Sequence, residues 1–260
     1  MTKRKISVIM GIHNGGDRFI TAVQSIESQT YSNWEYIICD DGSKDDTYEK
    51  LVEYAKDKSN YIIIRNETNL GLAATLNHCI EYCTGEYIAR MDDDDISYSD
   101  RFEKQVDYLE NHPDISFVSS TADLYNGERI VGRRELIPNP TKKNLIMNSP
   151  FIHPATMFRA SALRAVGGYR VAPETTRGQD YDLFMRLYGA GYIGGNITEP
   201  LFRYTEGRAA IKRRTFRARI GEMKIRIHGY KAMKVLHWAF PFIMKPYLAW
   251  FITLFKVKRV

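Results

Sequence analysis

Residues 92–95 are four consecutive aspartates, Asp92-Asp93-Asp94-Asp95, which follow the apolar run Tyr87-Ile88-Ala89. Like charges this close repel and raise one another's pKa values, so a folded domain that gathers them needs a compensating cation. Carboxylate oxygens suit a hard divalent ion, Mg²⁺ or Mn²⁺. Such an ion is usually shared between one or two carboxylates and the phosphates of a substrate. The chemistry implied is a metal-diphosphate site at the end of a strand; the alternative is a solvated acidic turn. A second acidic pair, Asp40-Asp41, closes the apolar run Trp34-Glu35-Tyr36-Ile37-Ile38-Cys39. A third carboxylate, Asp180, opens a helical pattern in which Leu183, Phe184 and Leu187 share a face. The free N–H groups and dipole of a helix start favour a carboxylate there. An N-cap and a functional group fit Asp180 equally well.

The elements that must position these groups follow from hydrophobic periodicity. Ile6-Ser7-Val8-Ile9-Met10 predicts a buried strand. The stretch from Gly11 to Gly16 breaks it, and Phe19, Ala22, Val23 and Ile26 then recur at helical spacing. That turn matches neither G-x-G-x-x-G nor a P-loop. Strands are expected again at 34–39, 61–64 and 86–91, with helices at 48–55 and 71–83 between them. Short strands alternating with helices imply βαβ units, an α/β class and a mostly parallel sheet. Ligands of such sheets bind beyond the carboxyl ends of the strands, where both acidic clusters fall. After residue 99 the pattern changes: a helix at 102–109, a strand at 115–118, an irregular segment at 121–150 with a hairpin around Asn126-Gly127, a strand at 155–158 and a short helix at 160–166. One or two short strands are expected at 192–204.

The 260 residues carry a net charge of +6. The excess lies late in the chain: residues 203–234 hold eleven Lys or Arg against two Glu, and residues 235–260 hold no acid. A basic tail on an acidic body implies an anionic partner. Residues 206–234 carry an apolar stripe of Ile211, Phe216, Ile220, Met223, Ile227 and Tyr230. Residues 235–255 then form an apolar run broken by Pro241 and by Lys245 beside Pro246. Basic flanks at both ends favour one side of a membrane. The reading preferred is an interfacial or re-entrant anchor on the anionic inner leaflet; a single span and a helix packed on the body are the alternatives. Cys39, Cys79 and Cys83 match no disulfide or zinc spacing, and no signal peptide is evident, so a cytoplasmic setting is expected. His153 is the one other histidine singled out, as a contact on the acceptor side.

The residues resemble the family 2 glycosyltransferases, which have the GT-A fold. The resemblance spans about residues 6–204 and rests on Ser7-Val8-Ile9-Met10 with His13-Asn14, Ser28-Gln29-Thr30-Tyr31, Asp40-Asp41-Gly42-Ser43, Asn69-Leu70-Gly71-Leu72, Gly85-Glu86-Tyr87-Ile88-Ala89, the aspartate run, Gly167-Gly168-Tyr169 and Gln179-Asp180-Tyr181-Asp182. It implies a glycosyltransferase domain at 1–205, with a nucleotide-binding half (1–98) and an acceptor half (99–205), followed by a helical tail at 206–260. It implies a nucleotide-sugar donor, most often a UDP-sugar, and inverting transfer, here to a lipid-linked or polysaccharide acceptor of bacterial surface-polysaccharide assembly. Gly11, His13, Asp41, Asn69 and Asp93 would border the nucleotide. Asp92 and Asp94 would match the family's Asp-x-Asp motif and hold Mn²⁺ or Mg²⁺. Asp180 would match the catalytic base. Two departures stand out: His13 replaces a common Tyr, and Gln179 replaces a common Glu. A sugar nucleotidyltransferase and a non-enzymatic nucleic-acid binder are the rival readings; no nucleic-acid partner is expected.

Overall fold

The computed structural model describes residues 3–205 and 216–247. Its first strand, β1 (Ile6–Ile12), is buried almost throughout, as a strand covered on both faces must be. Parallel neighbours β2 (Trp34–Asp40) and β4 (Tyr87–Arg90) flank it, and β3 (Tyr61–Arg65) pairs with β2 in the same direction. The helices α1 (Phe19–Glu27), α2 (Thr47–Ala55) and α3 (Leu72–Glu81) connect these strands. Register decides what the carboxyl ends bring together. Ile12 pairs with Asp40, and Ile9 with Arg90. The loop after β1, the pair Asp40-Asp41 and the aspartate run therefore emerge side by side.

The second half contains β5 (Ile96–Ser97), α4 (Arg101–Asn111), β6 (Ile115–Tyr125), β7 (Ile130–Arg134), α5 (Lys142–Met147), β8 (Met157–Arg159), α6 (Ala160–Ala165), α7 (Gln179–Gly189) and β9 (Ile193–Thr205). The described strands form one nine-stranded sheet in the order β3-β2-β1-β4-β8-β6-β9-β5, with β7 paired to β6. Only the β3-to-β4 half is uniformly parallel. In the other half β8 runs antiparallel to both neighbours, while β6 and β9 are parallel. The fold is thus the mixed α/β sheet expected, though among the described strands the mostly parallel character is confined to the first half: four pairings are parallel and four antiparallel.

Two stretches differ from the sequence reading. The strand expected at 115–118 continues to Tyr125 and turns through the anticipated hairpin into β7, with Asn126 Oδ1 accepting from the N–H groups of Glu128 and Arg129. Residues 193–205 form one strand whose pairing with β6 slips between Ile197 and Pro200; proline has no N–H for the ladder, and strands tolerate it at such irregularities.

Alternation along β1 divides the core. Ile9 faces α3, α6 and α7 with Leu76, Phe117, Phe151, Phe158 and Phe184. Val8 and Met10 face α1 and α4 with Phe19, Val23, Phe102 and Phe202. Cys39, Cys79 and Cys83 are buried, unbridged core residues. Helix α8 (Phe216–Ala232) packs on α7 at very close range. A Cβ on Gly229 would stand 2.3 Å from Met185 Sδ, and one on Gly189 would stand 2.6 Å from the Ala232 carbonyl oxygen. This approach sets which face of α8 is buried: Ile225, Arg226, Tyr230 and Met233 turn inward, while Ile220 and Ile227 of the expected apolar stripe are exposed. Ile211 and the Phe216 side chain lie outside the described residues. Arg226 replaces an apolar residue at the interface because its partners are there: its guanidinium donates to the Ile146 carbonyl and the Tyr230 hydroxyl, both at 2.8 Å.

After α8, the short helix α9 (Leu236–Ala239) and a 3₁₀ turn (Phe240–Met244) pack Val235, Ala239 and Ile243 into the same core. The start of the apolar run is therefore seated on the body; residues 248–260 lie outside the described residues. Among the described residues no helix is long and apolar enough to cross a membrane.

Phe184 is fully buried between Phe117 and Phe151, with ring centroids 5.4 and 4.8 Å away. Phe184→Ala should cost about 3–5 kcal/mol, read as a lowered urea midpoint; an unchanged midpoint would contradict this packing.

Candidate active site

Gly11, His13, Asp41 and Asn69 line one cleft of about 160 Å³ with Ile12, Gly71, Leu72 and Thr75. Its organiser is Asp41. One carboxylate oxygen accepts from Asn66 Nδ2 at 2.8 Å and from the Leu70 N–H at 2.9 Å; the other accepts from the Gly71 N–H at 2.9 Å. Asp41 thereby pins the 66–71 loop, which turns at Gly71 with φ of +85°. His13 Nδ1 lies 2.9 Å from the Asp41 carbonyl oxygen. A carbonyl only accepts, so this nitrogen carries the proton, and Nε2 accepts from Asn14 Nδ2 at 2.9 Å. Asp40 does not line the cleft. It is buried, bound to Arg65 Nε at 3.1 Å and to the Ser43 N–H at 3.1 Å.

The aspartate run is neutralised in part by the protein itself. Arg90, fully buried at the end of β4, pairs with Asp92 and donates to the Met91 carbonyl. Arg18, just before α1, donates to Asp93 through Nε at 2.9 Å. Asp95 is buried; one oxygen accepts from the Thr205 N–H at 2.7 Å and the other has no partner. Asp94 is the exposed member, and among the described residues no cation comes within ion-pair distance of it. Its carboxyl is pushed up to about 6 by desolvation and then by the charges of Asp92 and Asp93. Desolvation also raises Asp93, against the pull of Arg18, and raises Asp95, with Asp92 adding to the effect. Among the described residues no three His, Cys, Asp or Glu side chains form a metal cage. A divalent ion sharing phosphates needs only one or two carboxylates. The surplus charge at Asp94 and the unpartnered oxygen of Asp95 suit an added cation.

Asp180 sits in the first turn of α7, after Gly178 at φ +94°. It lines a second cleft of about 280 Å³ with residues that include Asn148, Ser149, Arg177, Tyr181, Arg219 and Glu222. Desolvation raises its pKa, the N–H groups of Tyr181 and its own backbone oppose the rise, Arg134 also opposes it, and the charge of Asp92 adds to it. Asp92 and Asp180 therefore lie within each other's field. Tyr169 is subject to the charges of both, and Tyr204 to those of Asp95, Asp92, Arg134 and Asp94. The acidic run and the helix carrying Asp180 share one electrostatic environment although they are 85 or more residues apart in sequence.

His153 does not fulfil the expectation of an acceptor contact. It is buried, with Nε2 2.7 Å from the Tyr169 hydroxyl, and burial pushes its pKa down. A neutral imidazole there accepts from Tyr169. The cations Arg18, Arg90 and Arg134 were missed in the sequence. Arg90 had a readable signal, a guanidinium ending an apolar strand just ahead of four carboxylates. Arg18 and Arg134 reach the site only through the fold.

A family model described as Glycosyl transferase family 2 matches residues 7–167. The putative glycosyltransferase EpsE of Bacillus subtilis is 39% identical over 243 residues, 93% of this chain and 87% of that one. The UDP-Gal:alpha-D-GlcNAc-diphosphoundecaprenol beta-1,3-galactosyltransferase of Escherichia coli is 30% identical over 236 residues, 88% and 84% of the two chains. Among solved structures, Staphylococcus aureus TarS 1-349 with UDP-GlcNAc superposes with a TM-score of 0.71 at 17% identity, covering 89% of this chain and 71% of that one. The mannosyltransferase PcManGT of Pyrobaculum calidifontis, with GDP-Man and Mn²⁺, gives 0.63 at 20% identity over 95% and 75%. At these identities the two structures speak for the fold.

The raised Asp94 carboxyl sets the sign of a stability effect. A carboxyl whose folded pKa exceeds its unfolded one favours the folded state at low pH, and that contribution is lost as pH rises from its ordinary value of 3.8 through about 6. Asp94→Asn should therefore raise the melting temperature at pH 7.5 in metal-free buffer and change it little near pH 4. A thermal shift equal at both values would show that Asp94 is not under this strain.

Proposed function

The chain belongs to glycosyl transferase family 2 and has the GT-A fold, and from that premise we propose that it moves a sugar from a UDP-sugar to a hydroxyl of a lipid-linked saccharide, with inversion at the anomeric carbon. The observation that supports the reading is the alignment of carboxyl ends: Asp41 organises a cleft after β2, the aspartate run follows β4 at the same edge of the sheet, and Thr205 at the end of β9 binds Asp95 there. The donor class follows the relatives whose names specify UDP-linked sugars, and the acceptor class follows those whose names specify diphosphoundecaprenol. A nucleotidyltransferase is set aside by the family.

In this reading Gly11, His13, Asp41 and Asn69 bound the base and ribose, with the His13 ring offering a flat face. Asp93, held by Arg18, borders the ribose. Asp92 and Asp94 would hold Mg²⁺ or Mn²⁺, which would supply Lewis-acid stabilisation of the departing nucleoside diphosphate. Arg90 fixes Asp92 from behind, while Asp94 stays open to solvent. Asp180 accepts the proton of the attacking hydroxyl. Burial raises its pKa, which makes it the stronger base. Inversion then needs one displacement and no protein nucleophile. Working on membrane-borne acceptors, the enzyme would act at the cytoplasmic face, associated through its C-terminal segment.

Asp180→Asn should lower kcat for sugar transfer by roughly 10²–10⁴-fold while UDP binding, followed by calorimetry with Mn²⁺, stays unchanged; near-normal turnover would remove Asp180 from the base role. Asp94→Ala should abolish the dependence of UDP affinity on Mn²⁺. If native UDP affinity is the same with Mn²⁺ and with EDTA, the metal assignment fails.

A further inference from the structure

Beyond α8 the described chain presents three large apolar side chains to solvent within seven residues: Trp238, Phe240 and Met244, exposed by 44, 65 and 42%. Their backbone is not loose, because Val235, Ala239 and Ile243 on the opposite side are core residues. Beside them Lys231, Lys234, Leu236, His237 and Phe240 line an open groove of about 600 Å³. Large apolar side chains exposed together in one short segment beside cations mark an interaction surface. The charged residues lining the groove are both cations, Lys231 and Lys234, and no Asp or Glu follows Glu222 in the sequence. The chain leaves the described fold at Tyr247, next to the patch, and the remaining sequence continues with Trp250, Phe251, Ile252, Leu254 and Phe255 before its terminal cations.

We propose that Trp238, Phe240 and Met244, rimmed by Lys231 and Lys234, are the surface by which this protein docks on an anionic lipid bilayer. Indole and phenyl rings settle at the headgroup level, and lysines beside them pair with anionic headgroups while their stems lie along the apolar layer. The proposal rests on the lipid-linked acceptor reading and gives it a geometry. Glu222 lines the Asp180 cleft and Lys231 lines the groove, both on α8. Nine residues of helix separate them by roughly 14 Å at 1.5 Å per residue. Docking at the patch would thus keep the cleft within roughly 14 Å, measured along α8, of the bilayer surface.

The test is co-sedimentation of the full chain with phosphatidylcholine vesicles containing phosphatidylglycerol, and with phosphatidylcholine alone. The native chain should partition at least about tenfold more strongly onto the anionic vesicles. Trp238→Ser with Phe240→Ser, and separately Lys231→Glu with Lys234→Glu, should each reduce binding about tenfold. The melting temperature reports folding, and the charge variant keeps the test decisive if the apolar one misfolds. Undiminished vesicle binding in the folded variants overturns the surface. So does a native chain that ignores anionic vesicles, binds duplex DNA instead, or forms a dimer that Trp238→Ser dissolves. UDP binding with Mn²⁺, measured in parallel, separates the two ideas: its absence in every form with vesicle binding intact would sink the proposed function alone.

Discussion

Negative charge concentrated at the end of β4 is the constraint the rest of this structure answers. Four neighbouring carboxylates cannot all be held ionised without cations close by, and among the described residues two guanidiniums pair with them, Arg90 behind Asp92 and Arg18 beside Asp93. Full neutralisation would have given a stable but inert acidic turn. Among the described residues Asp94 has no ion-pair partner and the adjacent Asp95 keeps an orphaned oxygen, so a deficit of positive charge remains there. The unbound state bears that electrostatic cost, a trade of stability for readiness common at active sites.

The sheet converts this local condition into a site. Parallel pairing of β1 with β2 and β4 aligns three carboxyl ends. The switch to mixed pairing beyond β4 then brings in elements from the second half of the chain. Thr205, at the end of β9, reaches back to Asp95, and β7 carries Arg134 into the same field as Asp180. The surroundings of the aspartate run thus draw on both halves of one continuous sheet.

Much of this was legible in the residues. The first six elements follow directly from periodicity, since each strand there is short, apolar and bounded by polar turns, and the aspartate run announced its own need for cations. The cleft residues Gly11, His13, Asp41 and Asn69 were nameable through the family pattern. Illegible was whatever depended on long-range pairing. The slip at Pro200, the guanidiniums of Arg18 and Arg134, and the core placement of His153 under Tyr169 have no local signature. The buried face of α8 was only partly legible for a related reason: Met223 and Tyr230 of the stripe pack on the core, while Ile220 and Ile227 do not. Periodicity finds an apolar stripe, but here a glycine contact chose the face, and the buried cation Arg226 was made tolerable by a carbonyl and a hydroxyl from elsewhere.

The contact between α7 and α8 has a wider consequence. Gly189 and Gly229 let the two backbones nearly touch, and the first turn of α7 holds Asp180 while α8 supplies Arg219 and Glu222 to its cleft. The C-terminal segment is thus masonry in the acceptor wall as well as a tail. Shortening the chain ahead of residue 216, an obvious trim for an engineer chasing solubility, would strip cover from Tyr181 and Met185 and unseat the carboxylate it was meant to leave alone.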